Sequence, residues 1–436
     1  MARGGRFFRP PPRVDGHNPS VPPLSAVLVG AGQRGQFAYG RWALEHPALL
    51  RFVAVVEPDQ DSRQRFAAAH DVDASLAVAS FDQLPGAVAE ACFIAAPDRA
   101  HFSLAMAAFD AGYHLFLEKP LAATAADCVE LADRSERSGV VTAVGHVLRS
   151  TPFFKAVRDV VRSGRLGDVI TVDHRENVAA WHMAHSFVRG NWAVATEATP
   201  MIVQKCCHDF DILRWILGDD VVRLSSFGSL FHFHPERAPD GATERCVDCP
   251  VVDCPFDARR VYLNMGNTGW PVHVITDDLS RSGRLAALEV GPYGRCVYTA
   301  GSDVVDHQVV AMEMASGASV SLVMHGHSPR EERTMRYDGS RATLRGRFGS
   351  VQQIEILDHA SGEIEEVPVA SSGGHGGGDD GAIRRFITEV RGDAEPGSTI
   401  HDALTPHLQA FAAEEARLTG TVIDLGDYRS RVSAAK

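Results

Sequence analysis

The sequence predicts an α/β fold: an amino-terminal doubly wound parallel sheet followed by a second α/β domain whose strands pair mostly antiparallel. Three observations predict it. A short apolar run, SAVLVG (25–30), ends in the glycine pattern Gly30-Ala-Gly32-Gln33-Arg34-Gly35 and leads into a helical stretch, FAYGRWALEH. Strand-like and helix-like runs then alternate up to residue 145. Towards the carboxyl end, VYTAG, QVVAMEM, ASVSLVMHG, RATLRG and VQQIEILD alternate side chains as antiparallel strands do.

Taken in order, SAVLVG reads as a buried parallel strand. The glycines after it allow a tight turn and close backbone approach, and the helix start beyond them faces a pyrophosphate. This is the dinucleotide fingerprint of a Rossmann domain. A second strand, RFVAVVE (51–57), ends in Glu57. An acidic group there accepts hydrogen bonds from a ribose diol and repels a 2′-phosphate, which favours NAD over NADP; a solvated strand end is the plainer alternative. Asp59 reads as a helix cap. ACFIAA (91–96) is a strand and HFSLAMAAFDA (101–111) a helix stopped at Gly112. YHLFLE (113–118) is a strand, Thr124 starts a helix through about Ser138 with Asp127 in a capping-box position, and VVTAVG (140–145) is the next strand. Ligands of such sheets lie beyond the carboxyl ends of the strands. That places Ala96, Pro97, His101, Glu118, Lys119 and Pro120 beside the cofactor, with Gly30, Gly32, Gln33, Arg34, Gly35 and Glu57.

The 436 residues exceed one ordinary core and suggest two domains. With 43 basic and 55 acidic residues the formal charge is -12, which argues against a nucleic-acid binder. No apolar run approaches the ~20 residues of a membrane span. Residues 1–23, rich in Arg and Pro, read as a disordered or loosely docked arm without a secretory core. Eight cysteines are too sparse for a disulfide scaffold, so a cytoplasmic setting is the default.

The runs VLVGAGQRG, VVEPD and AAPDRAHFSLAMAAFDAGYHLFLEKPLA resemble the Gfo/Idh/MocA oxidoreductases, the family of glucose–fructose oxidoreductase and inositol dehydrogenase. The similarity continues through GRLGDVITVDH and KCCHDFDIL to about residue 426. It implies an NAD-binding domain at 24–146 and a substrate-binding and oligomerisation domain at 147–436. The second domain then carries a large, open, mostly antiparallel sheet, with a Cys-rich insertion near 240–260. Lys119 matches the family's E-K-P lysine, which touches substrate hydroxyl and nicotinamide ribose. A lysine there can stabilise developing alkoxide charge, or merely brace the cofactor.

The stretch VQKCCHDFDIL poses the sharpest question. The family commonly carries D-x-x-x-H-x-x-D at this place; here the positions read Gln204, His208 and Asp211, so the first aspartate is absent and Lys205 stands beside the gap. Lys205, His208 and Asp211 fall roughly on one helix face. An alcohol oxidised by hydride loss must also lose a proton, and an imidazole with an ordinary pKa near ~6.5 is a suitable acceptor. His208 is therefore the expected general acid/base and Lys119 its electrostatic partner. Lys205 is expected to bind substrate or depress the His208 pKa, and Asp211 to orient the helix or the imidazole. A buried structural histidine is the bland alternative. A metal site on the adjacent cysteines is disfavoured because their side chains diverge by about 100°.

The segment WHMAHSFVRGNWA (181–193) reads as a loop. Its Trp181, His182, His185, Arg189, Asn191 and Trp192 suit a sugar, with Arg189 for an anionic substituent; an interdomain packing loop is the alternative. CVDCPVVDC sets Cys246, Cys249 and Cys254 at C-x2-C-x4-C, a candidate structural zinc site needing a fourth ligand from Cys296 or a histidine. A reduced loop or a redox pair are the other readings. In SSGGHGGGDDG (371–381), His375 and Asp379 are candidate lid residues. The expected activity is NAD-dependent hydride transfer at a secondary hydroxyl of a sugar, polyol or glycoside, in a homo-oligomer. An NAD-requiring glycosidase that oxidises transiently, eliminates the aglycone and returns the hydride is one alternative; a non-catalytic NAD sensor is the other.

Overall fold

A computed structural model describes residues 21–369, 374–393 and 397–434, except the side chains of residues 374 and 375. Most of the expected arm, the start of the glycine-rich loop and the His375 side chain lie outside these described residues.

The first sheet contains β1 (Leu24–Val29), β2 (Leu50–Val56), β3 (Ala77–Val78), β4 (Ala91–Ile94), β5 (His114–Leu117) and β6 (Thr142–Val144). Their spatial order is β3-β2-β1-β4-β5-β6 and every pairing is parallel. This is the doubly wound sheet, reversing direction beside β1. The central strands are apolar on both faces because helices cover both. Those helices are α1 (Arg41–Glu45), α2 (Gln60–His70), α3 (His101–Asp110) and α4 (Ala125–Ser138). Asp59 caps α2 by accepting the Ser62 N–H at 2.8 Å, and Thr124 caps α4 through the Asp127 N–H at 3.1 Å.

The second half begins with α5 (Pro152–Arg162), β7 (Val169–Ala179), the single turn α6 (Ala180–His182), α7 (Met201–Leu217) and β8 (Val221–Ser229). A long excursion with α8 (Ala258–Tyr262) and α9 (Arg281–Val290) leads to β9 (His307–Met314) and β10 (Ser319–Ser328). Then come β11 (Glu332–Gly339), β12 (Ala342–Gly349), β13 (Gln353–Asp358), β14 (Ile364–Glu366), α10 (Gly378–Val390), α11 (Ile400–Thr419), β15 (Ile423–Asp424) and α12 (Leu425–Ala434). The nine strands run β14-β13-β12-β11-β7-β10-β9-β8-β15, antiparallel except for the parallel pair of β7 and β10. The segment VYTAG is not a strand; residues 297–299 turn, with Val297 and Tyr298 buried. Residues 181–188 are not a loop either, although 189–193 are bends and turns. The 181–188 stretch winds into α6 and a π-helical turn, Met183–Val188, whose six side chains are all buried.

Two helices join the halves. α11 packs against α4, α7 and β8, so its buried face is shared by both sheets. α10 returns to the first sheet, where Phe386 meets Phe93 and Phe116 edge-on at 5.4 and 5.5 Å between ring centroids.

Candidate active site

The glycine turn is held by steric necessity. Gly30 has φ +90°, and a Cβ there would lie 2.6 Å from the Ala95 carbonyl oxygen; one on Gly35 would sit 1.9 Å from the Gly30 oxygen. Gly32 is different: a Cβ would meet nothing within 4 Å, so its backbone borders an open crevice. Glu57, at the end of β2, accepts the Ala31 N–H at 2.8 Å and the Asp59 N–H at 2.9 Å. Each carboxylate oxygen keeps a lone pair for a ribose diol. An open glycine edge with an acidic group at the neighbouring strand end is the donor and acceptor set that a dinucleotide requires, so these residues fit the group.

Arg34 and Glu118 do not face that crevice as ligands. Arg34 Nε donates to Glu118 Oε1 at 2.6 Å and Arg34 Nη2 to Asp379 Oδ1 at 2.9 Å, while the Tyr39 hydroxyl donates to Glu118. Burial alone would raise the Glu118 pKa, but Arg34 beside it holds the carboxyl below its usual range. These side chains brace the glycine loop against β5 and α10. Asp379 is thus part of that brace and not a lid over substrate. His101 straps the edge from below, with Nδ1 2.6 Å from the Pro120 oxygen and Nε2 2.9 Å from the Ala96 oxygen.

Lys119 leaves the end of β5 and its Nζ donates to the Gln204 carbonyl at 2.9 Å. Gln204 lies one turn before His208 on α7, so the ammonium touches the helix that carries that imidazole. The His208 ring is 5.6 Å from that of His146, which follows the end of β6. His146 Nδ1 lies 3.0 Å from Asp211 Oδ1, and Arg149 Nε donates to Asp211 Oδ2 at 2.7 Å. Asp211 thus lies beside the His146 imidazole and is held by Arg149. Burial opposes ionisation of Asp211, yet Arg149 and His146 hold its carboxyl far below the usual range.

Lys205 is likewise redirected. Its Nζ sits 2.8 Å from Glu331 Oε1 and 3.2 Å from Glu176 Oε1, and Arg333 joins Glu176 to Asp209 at 2.7 Å on either side. These pairs hold the Lys205 pKa above its ordinary value against the opposing effect of burial. Its field acts on His182, whose Nδ1 is 2.9 Å from Glu331 and whose pKa burial and Lys205 push down. Substrate binding by Lys205 is corrected to an ion network under the site.

Of the 181–193 residues, Trp181 and His182 form a wall with Trp270: ring centroids are 5.0 Å apart for Trp181–Trp270 and 4.9 Å for His182–Trp270. His185 packs edge-on against Trp270 at 5.5 Å, with Nδ1 2.7 Å from the Tyr262 hydroxyl and its ring stacked on Tyr293; burial lowers its pKa to about 3. Arg189 is buried and donates to the Arg295 and Phe256 carbonyls at 2.7 and 2.8 Å, so it has no free face for an anion. Asn191 is exposed, and Trp192 packs on the main core.

His146, Cys207 and His407 bring ligand-type atoms within 4.8 Å of one another. They form a packed knot and not a metal centre. His407 Nε2 accepts the Leu121 N–H at 3.0 Å and Nδ1 donates to the Ala403 carbonyl at 2.7 Å, so both ring nitrogens are taken. Burial pushes Cys207 up to about 12, far from the thiolate a metal needs.

His146, Arg149, Trp270 and His273 were not singled out from sequence. His146 had a usable signal: it follows a strand end in the parallel sheet, as Lys119 does. His273 reaches the glycine loop, where its Nε2 meets the Gln33 side chain and its ring lies 4.5 Å from Phe37.

A glycine turn at the carboxyl end of β1 in a doubly wound sheet, with Glu57 ending the neighbouring strand, is the arrangement of a nucleotide-binding site. Comparisons agree. Residues 24–146 match the Gfo/Idh/MocA oxidoreductase family as an NAD-binding Rossmann fold, and residues 158–425 match its C-terminal α/β domain. The chain belongs to this family, and it is an oxidoreductase. It is 23% identical over 308 residues to YteT of Bacillus subtilis, spanning 66% of this chain and 69% of that one. It is 28% identical over 222 residues to inositol 2-dehydrogenase 1 of Saccharopolyspora erythraea, spanning 51% and 60%. The fold matches levoglucosan dehydrogenase, solved with NADH, at a TM-score of 0.68 and 16% identity over 92% of this chain and 99% of that chain.

Proposed function

We propose that this enzyme transfers a hydride between a secondary hydroxyl of a sugar, polyol or glycoside and NAD. The observation that carries this reading is the Lys119 ammonium, at the carboxyl end of β5, reaching the α7 backbone one turn before His208. When bound, the nicotinamide supplies the hydride acceptor. His208 takes the hydroxyl proton as the hydride leaves the carbinol carbon, and placement of such a base is worth roughly 10²–10⁴ in rate. Lys119 stabilises the developing alkoxide by a charge-assisted hydrogen bond. Trp181 and Trp270 offer flat apolar faces for the C–H surface of a sugar, with the His182 imidazole at their edge for a hydroxyl. Glu57 selects NAD over NADP by charge. The dehydrogenase names of the relatives support a carbohydrate-type substrate.

The reading extends to assembly. On one face of the nine-stranded sheet, register aligns Phe227, Val309 and Val323, and Phe227 is 71% exposed. A second copy covering this row gives the homo-oligomer.

The test is a panel of sugars, polyols and glycosides with NAD and NADP, followed at the reduced-nicotinamide absorbance and by product analysis. The expected outcome is NADH equimolar with a keto product. Aglycone release without net NADH would replace simple oxidation with redox-neutral cleavage, and tight NADH binding with no turnover on any substrate would leave a sensor.

A further inference from the structure

Between β8 and β9 the chain leaves the sheet for residues 230–306 and returns. The far part of this excursion touches the amino-terminal domain: His273 meets Gln33 and Phe37, and Asp277 pairs with Arg65 at 3.0 Å. Its base holds four of the eight cysteines. An antiparallel bridge between Arg245 and Arg295, with the Cys296 N–H donating to the Glu244 carbonyl at 2.8 Å, sets Cys246 beside Cys296. The single turn Cys246–Asp248 brings Cys249 back, its N–H 3.3 Å from the Cys246 carbonyl. Cys254 follows five residues later. All four line one cavity of ≈ 20 Å³. That is room for one water-sized particle and no more.

Cysteines that serve only as small apolar groups pack against other side chains and leave no hole. Here they ring one, and two guanidiniums stand in its wall. Arg189 Nη2 is 3.5 Å from Cys246 Sγ, and Arg259 Nη2 is anchored on the Cys249 carbonyl at 3.2 Å. Arg259 also pairs with Asp257 at 3.0 Å, whereas Arg189 is paired with no carboxylate among the described residues; beside four thiolates on a divalent cation, a group of net charge -2, the buried Arg189 gains a partner of opposite sign through Cys246.

The geometry points to a structural soft divalent cation of the zinc class held by Cys246, Cys249, Cys254 and Cys296. Binding releases one proton from each thiol and makes four metal–sulfur bonds, with no change of oxidation state. Four protein ligands close the tetrahedron, so no position is left for chemistry. Metal–sulfur distances of ~2.3 Å put the sulfurs ~3.8 Å apart. Without an ion no three of them lie within 4.8 Å of one another, because the only such group among the described residues is His146, Cys207 and His407. Loading therefore draws the 246–254 loop inward around the cavity. The consequence reaches the cofactor crevice, since the same excursion supplies Trp270 to the substrate wall and His273 to the glycine loop.

The test uses the full-length protein purified without chelator. Elemental analysis is expected to give about one zinc per chain, and cobalt exchanged into the site should show thiolate-to-metal charge transfer. Cys254→Ser and Cys296→Ser should each weaken metal retention by at least ~10-fold. Because such variants can fail to fold, alkylation of the native wild type is the second measurement: these four thiols should be protected with zinc and react after chelation. Metal-free protein whose four thiols alkylate equally with and without added zinc would overturn the site. So would a Cys246–Cys249 disulfide in the peptide map, or full metal content in both folded variants. Metal content is read without turnover, so failure here leaves the NAD-dependent reading standing, and failure of that reading leaves this one.

Discussion

Glu57 offers a decisive test because its effect does not require knowing the substrate. Its carboxylate sits at the end of β2 and accepts N–H groups from the glycine turn and from Asp59. A 2′-phosphate on the adenosine ribose would stand within about 4 Å of it. At the effective dielectric of about 20 suited to such a site, two unit charges that close repel by about 4 kcal/mol, equivalent to roughly three decades in affinity. Wild-type protein is therefore expected to bind NADH about 10³-fold more tightly than NADPH. Glu57→Gln keeps the shape and the amide oxygen as an acceptor but removes the charge, so the ratio should fall to within about tenfold, mainly by a gain for NADPH. Fluorescence titration of both reduced nucleotides measures the four constants. If the wild type binds NADPH within tenfold of NADH, or if Glu57→Gln leaves the ratio unmoved, the charge-exclusion argument fails. A loss confined to NADH would mean that the carboxylate chiefly holds the turn.

Other outcomes follow from the same geometry. Lys119→Met is expected to lower kcat by ~10²–10³ on any substrate the panel identifies, and a fall below tenfold would remove the lysine from the chemistry. His208→Asn should cost ~10²–10⁴ in kcat while the protein still binds NADH; wild-type turnover would return it to a structural role. Asp211→Asn leaves Arg149 and His146 facing a neutral group in a buried site, and should cost ~3 kcal/mol in urea unfolding, whereas a loss under 1 kcal/mol would contradict the burial of that pair. Asp209 and Asp211 have folded-state pKa values held below their unfolded ones: burial opposes this, but Arg333 and Arg149 overcome it. Their contribution is complete above the unfolded value near ~4 and is lost as pH falls further, so unfolding midpoints should be flat from neutral pH to about 5 and drop below about 4. Phe227→Asp should shift the light-scattering mass towards the single chain.

The amino-terminal half was legible because its signals are local. Buried parallel strands read as unbroken apolar runs, and caps such as Thr124 with Asp127 declare themselves within three residues. The second half hid more. Residues 181–193 look like a loop because His, Arg, Asn and Gly crowd there, yet burial of all six side chains in Met183–Val188 overrides those preferences. The placing of Lys119 at a strand end and of His208 on a helix could be anticipated from motif spacing. The fate of Lys205 and Arg189 could not, since their partners Glu331 and Arg295 lie more than a hundred residues away. The nearness of Asp211 to His146 was not legible either, because His146 follows a distant strand end.

The docking of α10 bears on how the chain acquires its shape during synthesis. Ile383, Phe386 and Ile387 belong to the apolar cluster that also contains Phe52, Phe93 and Phe116 of the first sheet. Until those late residues clear the ribosome tunnel, Phe93 and Phe116 have only part of their cover, from Tyr39. An excised amino-terminal fragment should therefore expose apolar surface that α10, from beyond most of the second sheet, covers in the full chain.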